Sequence, residues 1–426
     1  MLYKIDRMKT SAISNAAVSA NANTEYDELP LLADLPSAIQ APAPENRILT
    51  RHRSPLNSLT GLRFLAASYV IIFHTRLSAV LVGKGFHAAA NFVGDGYLAV
   101  PLFFMLSGFI LAYNYCGQIE TMKHTFRFWE ARFARIWPAY IFSLLCSCFP
   151  LSGIPSLPMA VRIICMVQSW DPFHPEYCGL WNFVCWTLSV EAFFYLVFPL
   201  LQVGLEKLRP AQVAFSGLCV ISIAFLFNTP YHNFSARYPG PWFYIPAPII
   251  HLPEFLTGVI IGNLYLQSRG HFDWSTPLHW KRAGGNATPA SAPPCAGTKF
   301  PLLTSIGLIF SLFVLSTPHG HWEGLVLPAF GTFLFGLATE RSLISRFLST
   351  PILILGGEIS YAMYLLRTPM QNWVLAIPSP QLRYIIEAIY LPLGLIPLSL
   401  LCFYFIEGPS RQALRRLFAT MQRSRF

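Results

Sequence analysis

The sequence predicts an all-α integral membrane protein, a bundle of about ten transmembrane helices with both termini cytosolic. Three observations predict it. Of 426 residues, 54% are hydrophobic and only 12% are charged, and the mean hydropathy is +0.46; a water-soluble domain carries about a quarter charged residues. Apolar runs of about twenty residues, the length that crosses a bilayer core of roughly 30 Å, recur along the chain. Between them, Lys and Arg are dense in alternate loops, as the positive-inside rule requires. The net charge of +10 therefore reads as topology, and a nucleic-acid-binding role is set aside.

Taken in order, the expected spans lie near 59–82, 97–116, 136–152, 181–203, 211–228, 243–267, 301–317, 324–340, 352–377 and 384–406. Residues 1–55 are polar, with Ala, Ser, Asn and Pro throughout, and are expected to be a disordered cytosolic tail. The stretch 159–170 is expected to be re-entrant or interfacial. The inner loops are 123–135, 206–210, 268–299 and 340–346, followed by a basic cytosolic tail at 410–426. They hold most of the loop cations, among them Arg127, Arg132, Arg135, Lys207, Arg341, Arg411 and Arg415. The Pro/Gly/Ala-rich 268–299 is a flexible inner loop. An Asn-Phe-Ser sequon makes Asn233 a possible glycosylation site on the outer side. Nine scattered cysteines form no CxxC pair or Cys/His cluster, so no metal and no disulfide framework are expected. The organelle stays open: endomembrane in a eukaryotic host, inner membrane in a bacterial one.

Ionisable side chains inside spans cost a few kcal/mol each on insertion scales and mark functional candidates. Here they are His74, Glu191, Glu254, Glu358 and Arg367, with Arg63 at the inner edge of the first span. Eleven residues at about 100° each bring Arg63 and His74 onto one helix stripe, roughly 16 Å apart. That stripe either lines a passage or holds a snorkelling arginine and a histidine bonded to a neighbouring helix. Arg132 and Arg135, three apart, share one face before the third span. Two guanidinium forks there suit a polyphosphate such as that of coenzyme A, or lipid headgroups. Glu191, mid-span, has to be protonated or paired, with a buried Arg or His as partner. Glu254 repeats the theme beside Pro253, a residue expected to distort its helix, and Gly258 and Gly262 form a GxxxG close-packing signal.

Six segments together resemble the acyltransferase-3 family of integral-membrane acyltransferases. They are "LTGLRFLAASYVIIFH" (59–74), "FFMLSG" (103–108) with Ser107, "RFARIWPAY" (132–140), "WTLSVEAFFYLVFP" (186–199), Pro253-Glu254-Phe255 with Gly258, and "ISYAMYLLRTP" (359–369). They run in the family's order, and the resemblance defines a transmembrane domain at 56–409. Two positions depart from it: Ala192 stands where a second carboxylate is frequent, and Arg367 where histidine is common. By the expected topology Arg367 lies at about the depth of His74, where it pairs a buried carboxylate or steers an anionic acceptor.

The resemblance implies transfer of an acyl group, most simply acetyl, from acyl-CoA to a hydroxyl of a sugar, lipid or secondary metabolite. Acyl-CoA is then a co-substrate, and no cofactor is permanently bound. His74, with an ordinary pKa near 6.5, would take the hydroxyl proton at neutral pH; a covalent acyl-histidine relay is the other route. Arg132 and Arg135 would hold donor phosphates. Arg63 would draw the thioester inward or stabilise developing oxyanion charge. Glu191 would fix an arginine or the His74 tautomer, and Glu254, Arg367 and Ser107 are acceptor-side or structural. The alternative is a solute or proton-coupled transporter, whose paths also carry charges at several depths. A membrane scaffold is the third possibility.

Overall fold

The computed structural model describes residues 55–75, 77–148, 155–174, 180–235, 245–269, 302–316, 325–379, 382–383, 386 and 394–423, with backbone only at 226–235, 269 and 422–423. Among these residues every regular element is a helix. In chain order they are α1 (Asn57–Phe73), α2 (Leu77–Gly83), α3 (His87–Gly94), α4 (Ala99–Tyr115), α5 (Met122–Ser147), α6 (Leu157–Ile164), α7 (Trp186–Glu206) and α8 (Pro210–Ser235). There follow α9 (Ala247–Ile250), α10 (Leu252–Arg269), α11 (Leu302–Ser316), α12 (Val326–Thr339), α13 (Leu343–Leu348), α14 (Pro351–Leu375), α15 (Ile396–Cys402) and α16 (Gly408–Arg423). A wider turn, Phe403–Glu407, joins the last two.

Two continuous stretches, His87–Tyr115 and Phe183–Glu206, are long and apolar enough to cross a membrane. The pair α1 and α2, bent by 63°, makes a third if counted as one span. Length and composition among the described residues thus support two or three of the ten expected spans, and the first half of the tenth, 384–406, lies largely outside the described residues. The expected first span 59–82 breaks just after His74. The sixth breaks at His251, so Pro253 lies in the opening turn of α10 instead of distorting a helix; proline suits a first turn, where its missing N–H has no partner to lose. The expected loop 123–135 is helix as well: α5 runs unbroken from the basic stretch into the apolar one, its start capped by Thr121, whose Oγ accepts from His124 N. Asn233 falls in the last turn of α8, and its side chain lies outside the described residues, as do 1–54 and 270–301.

Lipid supplies no hydrophobic drive between helices, so close packing and satisfied polar groups have to hold them. Gly108 on α4 and Gly258 on α10 show the first device. A Cβ on Gly108 would sit 2.2 Å from Phe255 O, and one on Gly258 would sit 2.0 Å from Met105 O. Only hydrogen lets these backbones meet. Two prolines show the second device. Pro199 has no N–H for the carbonyl of Tyr195, and Trp129 Nε1 donates to that carbonyl at 2.9 Å, tying α5 to α7. Pro369 likewise frees the carbonyl of Leu365, and Asn182 Nδ2 donates to it at 3.0 Å. Outward, large apolar side chains such as Leu200 (78% exposed) and Ile352 (80%) cover the surface, as suits contact with acyl chains.

Candidate active site

Five helices converge on one cavity. Arg63 enters from α1, Ser107 from α4, Arg132 and Arg135 from α5, and Glu191 with Tyr195 from α7, while Tyr361 and Tyr364 of α14 close the far wall. The empty volume is about 910 Å³, counting the open end, which is the size of a small-molecule site. Three guanidiniums thus face one carboxylate, a balance that favours an anionic guest.

That carboxylate is already engaged. Glu191 Oε1 accepts from Ser107 Oγ at 2.8 Å and from the Tyr195 hydroxyl one helical turn along. Its charge also reaches Arg63, with Arg132 and Arg135 in the same field. Glu191 is therefore a local organiser of the cavity, and no bond joins it to His74 among the described residues; a tautomer-fixing role for it loses its geometric basis. Arg132 is pinned from one side. Its Nη2 donates to Tyr115 Oη at 3.0 Å, and its guanidinium lies 5.3 Å from the Tyr115 ring centre and 5.9 Å from that of Phe128. Its buried Nε has no partner among the described residues, and buried donors in native proteins seldom go unmatched.

His74 does not line this cavity. It ends α1, where its backbone N–H reaches Val70 O and Ile71 O. The half-buried ring packs on Phe73 at 4.6 Å and meets Phe183 edge-on at 6.3 Å. Among the described residues no side chain hydrogen-bonds it. Arg367, buried on α14 and bonded through Nη2 to Gln371, lies close enough to act on it electrostatically. On the cavity wall, Tyr364 has its hydroxyl 3.1 Å from Thr187 Oγ1 and its ring 6.1 Å from that of Phe103. Tyr364 is within electrostatic range of both Glu191 and Arg367. Arg367 in turn acts on His74, so this tyrosine touches the surroundings of both sites.

Glu254 lies elsewhere. It is 1% exposed, and its Oε1 is 3.2 Å from His251 Nδ1; the His251 ring sits 5.4 Å from both Phe104 and Trp186. Glu358 is exposed on the first turns of α14. Sequence reasoning missed His251, Tyr115, Thr187 and Tyr364. The first and last had a signal in helical spacing, three residues before Glu254 and three before Arg367. Thr187 had none beyond its motif. Among the described residues no His, Cys, Asp and Glu group could hold a metal ion.

The family's sequence profile, described as an acyltransferase domain, matches residues 56–407. The chain belongs to the acyltransferase-3 family. Among its relatives, acyltransferase MdmB of Streptomyces mycarofaciens is 28% identical over 329 residues, covering 72% of this chain and 82% of the relative. O-acetyltransferase OatA of Staphylococcus aureus is 24% identical over 399 residues, covering 87% of this chain and 59% of the relative. This chain therefore spans a little over half of the latter's length. No solved structure matches. The cavity residues Arg63, Ser107, Arg132, Arg135 and Glu191 fall inside the matched region, as do His74, Glu254 and Arg367.

Proposed function

We propose that this acyltransferase-3 member is a multi-pass O-acyltransferase with cytosolic termini, and that it moves an acetyl group from acetyl-CoA to a hydroxyl of a sugar, lipid or secondary metabolite. The observation that carries the proposal is the cavity of three guanidiniums against one bonded carboxylate, in a family of acyltransferases. That relatives are named an O-acetyltransferase and an acyltransferase supports oxygen as the acceptor atom and acyl as the transferred group. A transporter has no need of the fixed, one-sided clamp on Arg132.

In this reading Arg132 and Arg135 hold the donor phosphates, and Arg63, one layer deeper, attracts the thioester end. The thioester has to travel from this cavity to His74 to meet the acceptor. His74 takes the proton of the acceptor hydroxyl as its oxygen adds to the thioester carbonyl. The carbon–sulfur bond then breaks, and the departing thiolate takes the proton back from the imidazolium, leaving an ester and free coenzyme A. A base needs one acceptor site, whereas an acyl-imidazole relay needs two successive ones, so the base is the simpler route. Arg367, beside His74, steers an anionic part of the acceptor.

The acceptor is found first by metabolite profiling of a deletion strain, in which a compound lighter by one acyl unit accumulates. Proteoliposomes given that compound and acetyl-CoA then release coenzyme A. Failure to release it would sink the donor assignment. Radiolabelled acetyl retained on the quenched protein would replace the base with the relay.

A further inference from the structure

The basic C-terminal helix lies beyond the matched domain, and the mechanism above leaves it unused. Its sequence, "GPSRQALRRLFATMQR", places Arg411, Arg415 and Phe418 at i, i+4 and i+7, one face of α16. That face lies on α5. Phe418 meets Phe133 with ring centres 6.4 Å apart, and Phe133 is the neighbour of Arg132. The contact sets Arg415 within electrostatic reach of Arg411, Arg132, Tyr115 and Arg135, three of them cationic. Arg411 and Arg135 both act on Glu407, a buried carboxylate at the start of the same helix that also feels the exposed Glu358. Four guanidiniums therefore gather at the Arg132 end of the cavity, with Glu407, Glu358 and, inside the cavity, Glu191 among the acidic groups near them.

We propose that Arg411 and Arg415 complete the donor site, taking the phosphates at the nucleotide end of coenzyme A while Arg132 and Arg135 take those nearer the thioester arm. Plain headgroup anchoring needs no contact with α5 and would be served by any face of the helix. The observed face instead crowds like charges together. Although the Arg415 side chain reaches solvent, loss of hydration against the packed helices, and then Arg411, Arg132 and Arg135, hold its pKa below the ordinary guanidinium value. An anion bound among them relieves that repulsion. Phosphate chemistry fits the group because guanidinium forks pair phosphate oxygens two at a time.

The inference rests on the donor being a coenzyme A thioester, and the test separates the two. Full-length protein in phosphatidylcholine liposomes is titrated with CoA, dephospho-CoA and pantetheine, as wild type, R411A/R415A and R411K/R415K. The alanine pair should weaken CoA binding about tenfold, dephospho-CoA less and pantetheine by under twofold, with lysine restoring part of the loss, since it keeps the charge without the fork. Unchanged CoA binding in the alanine pair, beside a wild type that binds CoA, would overturn the tail's role and leave the donor reading standing. A wild type that binds no CoA would overturn both. A defect equal for all three probes would show a packing role for the helix. A defect seen only when phosphatidylglycerol is added would assign the arginines to lipid headgroups. Either result would overturn the proposal.

Discussion

His251 and His74 both stand at helix breaks, and their surroundings divide structure from chemistry. His251 meets a carboxylate, Glu254, at 3.2 Å, and aromatic rings of Phe104 and Trp186 flank it. Neither member of that pair opens on the arginine cavity. His74 stands at the broken end of α1 with aromatic neighbours alone, one cation in range, and no side chain bonded to its ring among the described residues. A carboxylate partner fixes an imidazole's tautomer and orientation, which joins helix ends firmly and occupies a nitrogen. An unengaged ring keeps a lone pair for a substrate. The better-bonded histidine is therefore the structural one, and the poorly bonded one is the candidate base.

The comparison is broken most sharply by removing each ring. His74→Ala should lower kcat by about 10²–10⁴, the usual worth of a positioned base, with the thermal midpoint close to wild type. His251→Ala should do the reverse, holding kcat per folded molecule and costing about 3 kcal/mol or more of stability, because Glu254 is left buried without its partner. Parallel activity and unfolding measurements on both variants check this; loss of transfer in His251→Ala with full folding would exchange the two roles.

Next in size is the arginine cavity, the region that His74 does not join. Arg132→Ala with Arg135→Ala should raise the acetyl-CoA KM by about tenfold or more while kcat falls less, the pattern of lost ground-state binding. An unchanged KM in steady-state assays would return the pair to interfacial anchoring. Smaller again, Glu191→Gln keeps an oxygen for Ser107 and Tyr195 and removes the cavity's one carboxylate charge. It should change kcat by under about tenfold and leave the His74-dependent step in place, since positioned charges act through the donor here. A loss as deep as that of His74→Ala would make Glu191 part of the proton path. The smallest effect expected is that of Trp129→Phe, which strands the carbonyl freed by Pro199 and should cost about 1–3 kcal/mol of stability with transfer intact.

The legibility of these regions in the sequence was uneven for physical reasons. Helical periodicity and length located most helices, since apolar runs declare themselves. Residues 123–135 looked like a loop because five of them are charged, yet a helix surface at an interface tolerates that density, and Thr121 caps its start. The break at His74 had no glycine or proline beside it to announce it, whereas Pro253 signalled the one at His251. Arg132 and Arg135 were legible as one face by spacing. Their convergence with Arg63, Ser107 and Glu191 was not, because contacts between distant helices leave no mark in any single segment. It took the family's motifs to bring those residues into one list. That Arg63 lines the cavity while His74 does not was invisible for the same reason, although both share one stripe of sequence.

The measurement that bears most directly on His74 is chemical rescue. Proteoliposomes carrying His74→Ala are given acetyl-CoA, the acceptor and increasing free imidazole, and the acetylated acceptor is quantified. The account predicts a rate near background that rises with imidazole concentration, while wild type shows no such rise. A wild-type rate in the variant before any imidazole is added would contradict it.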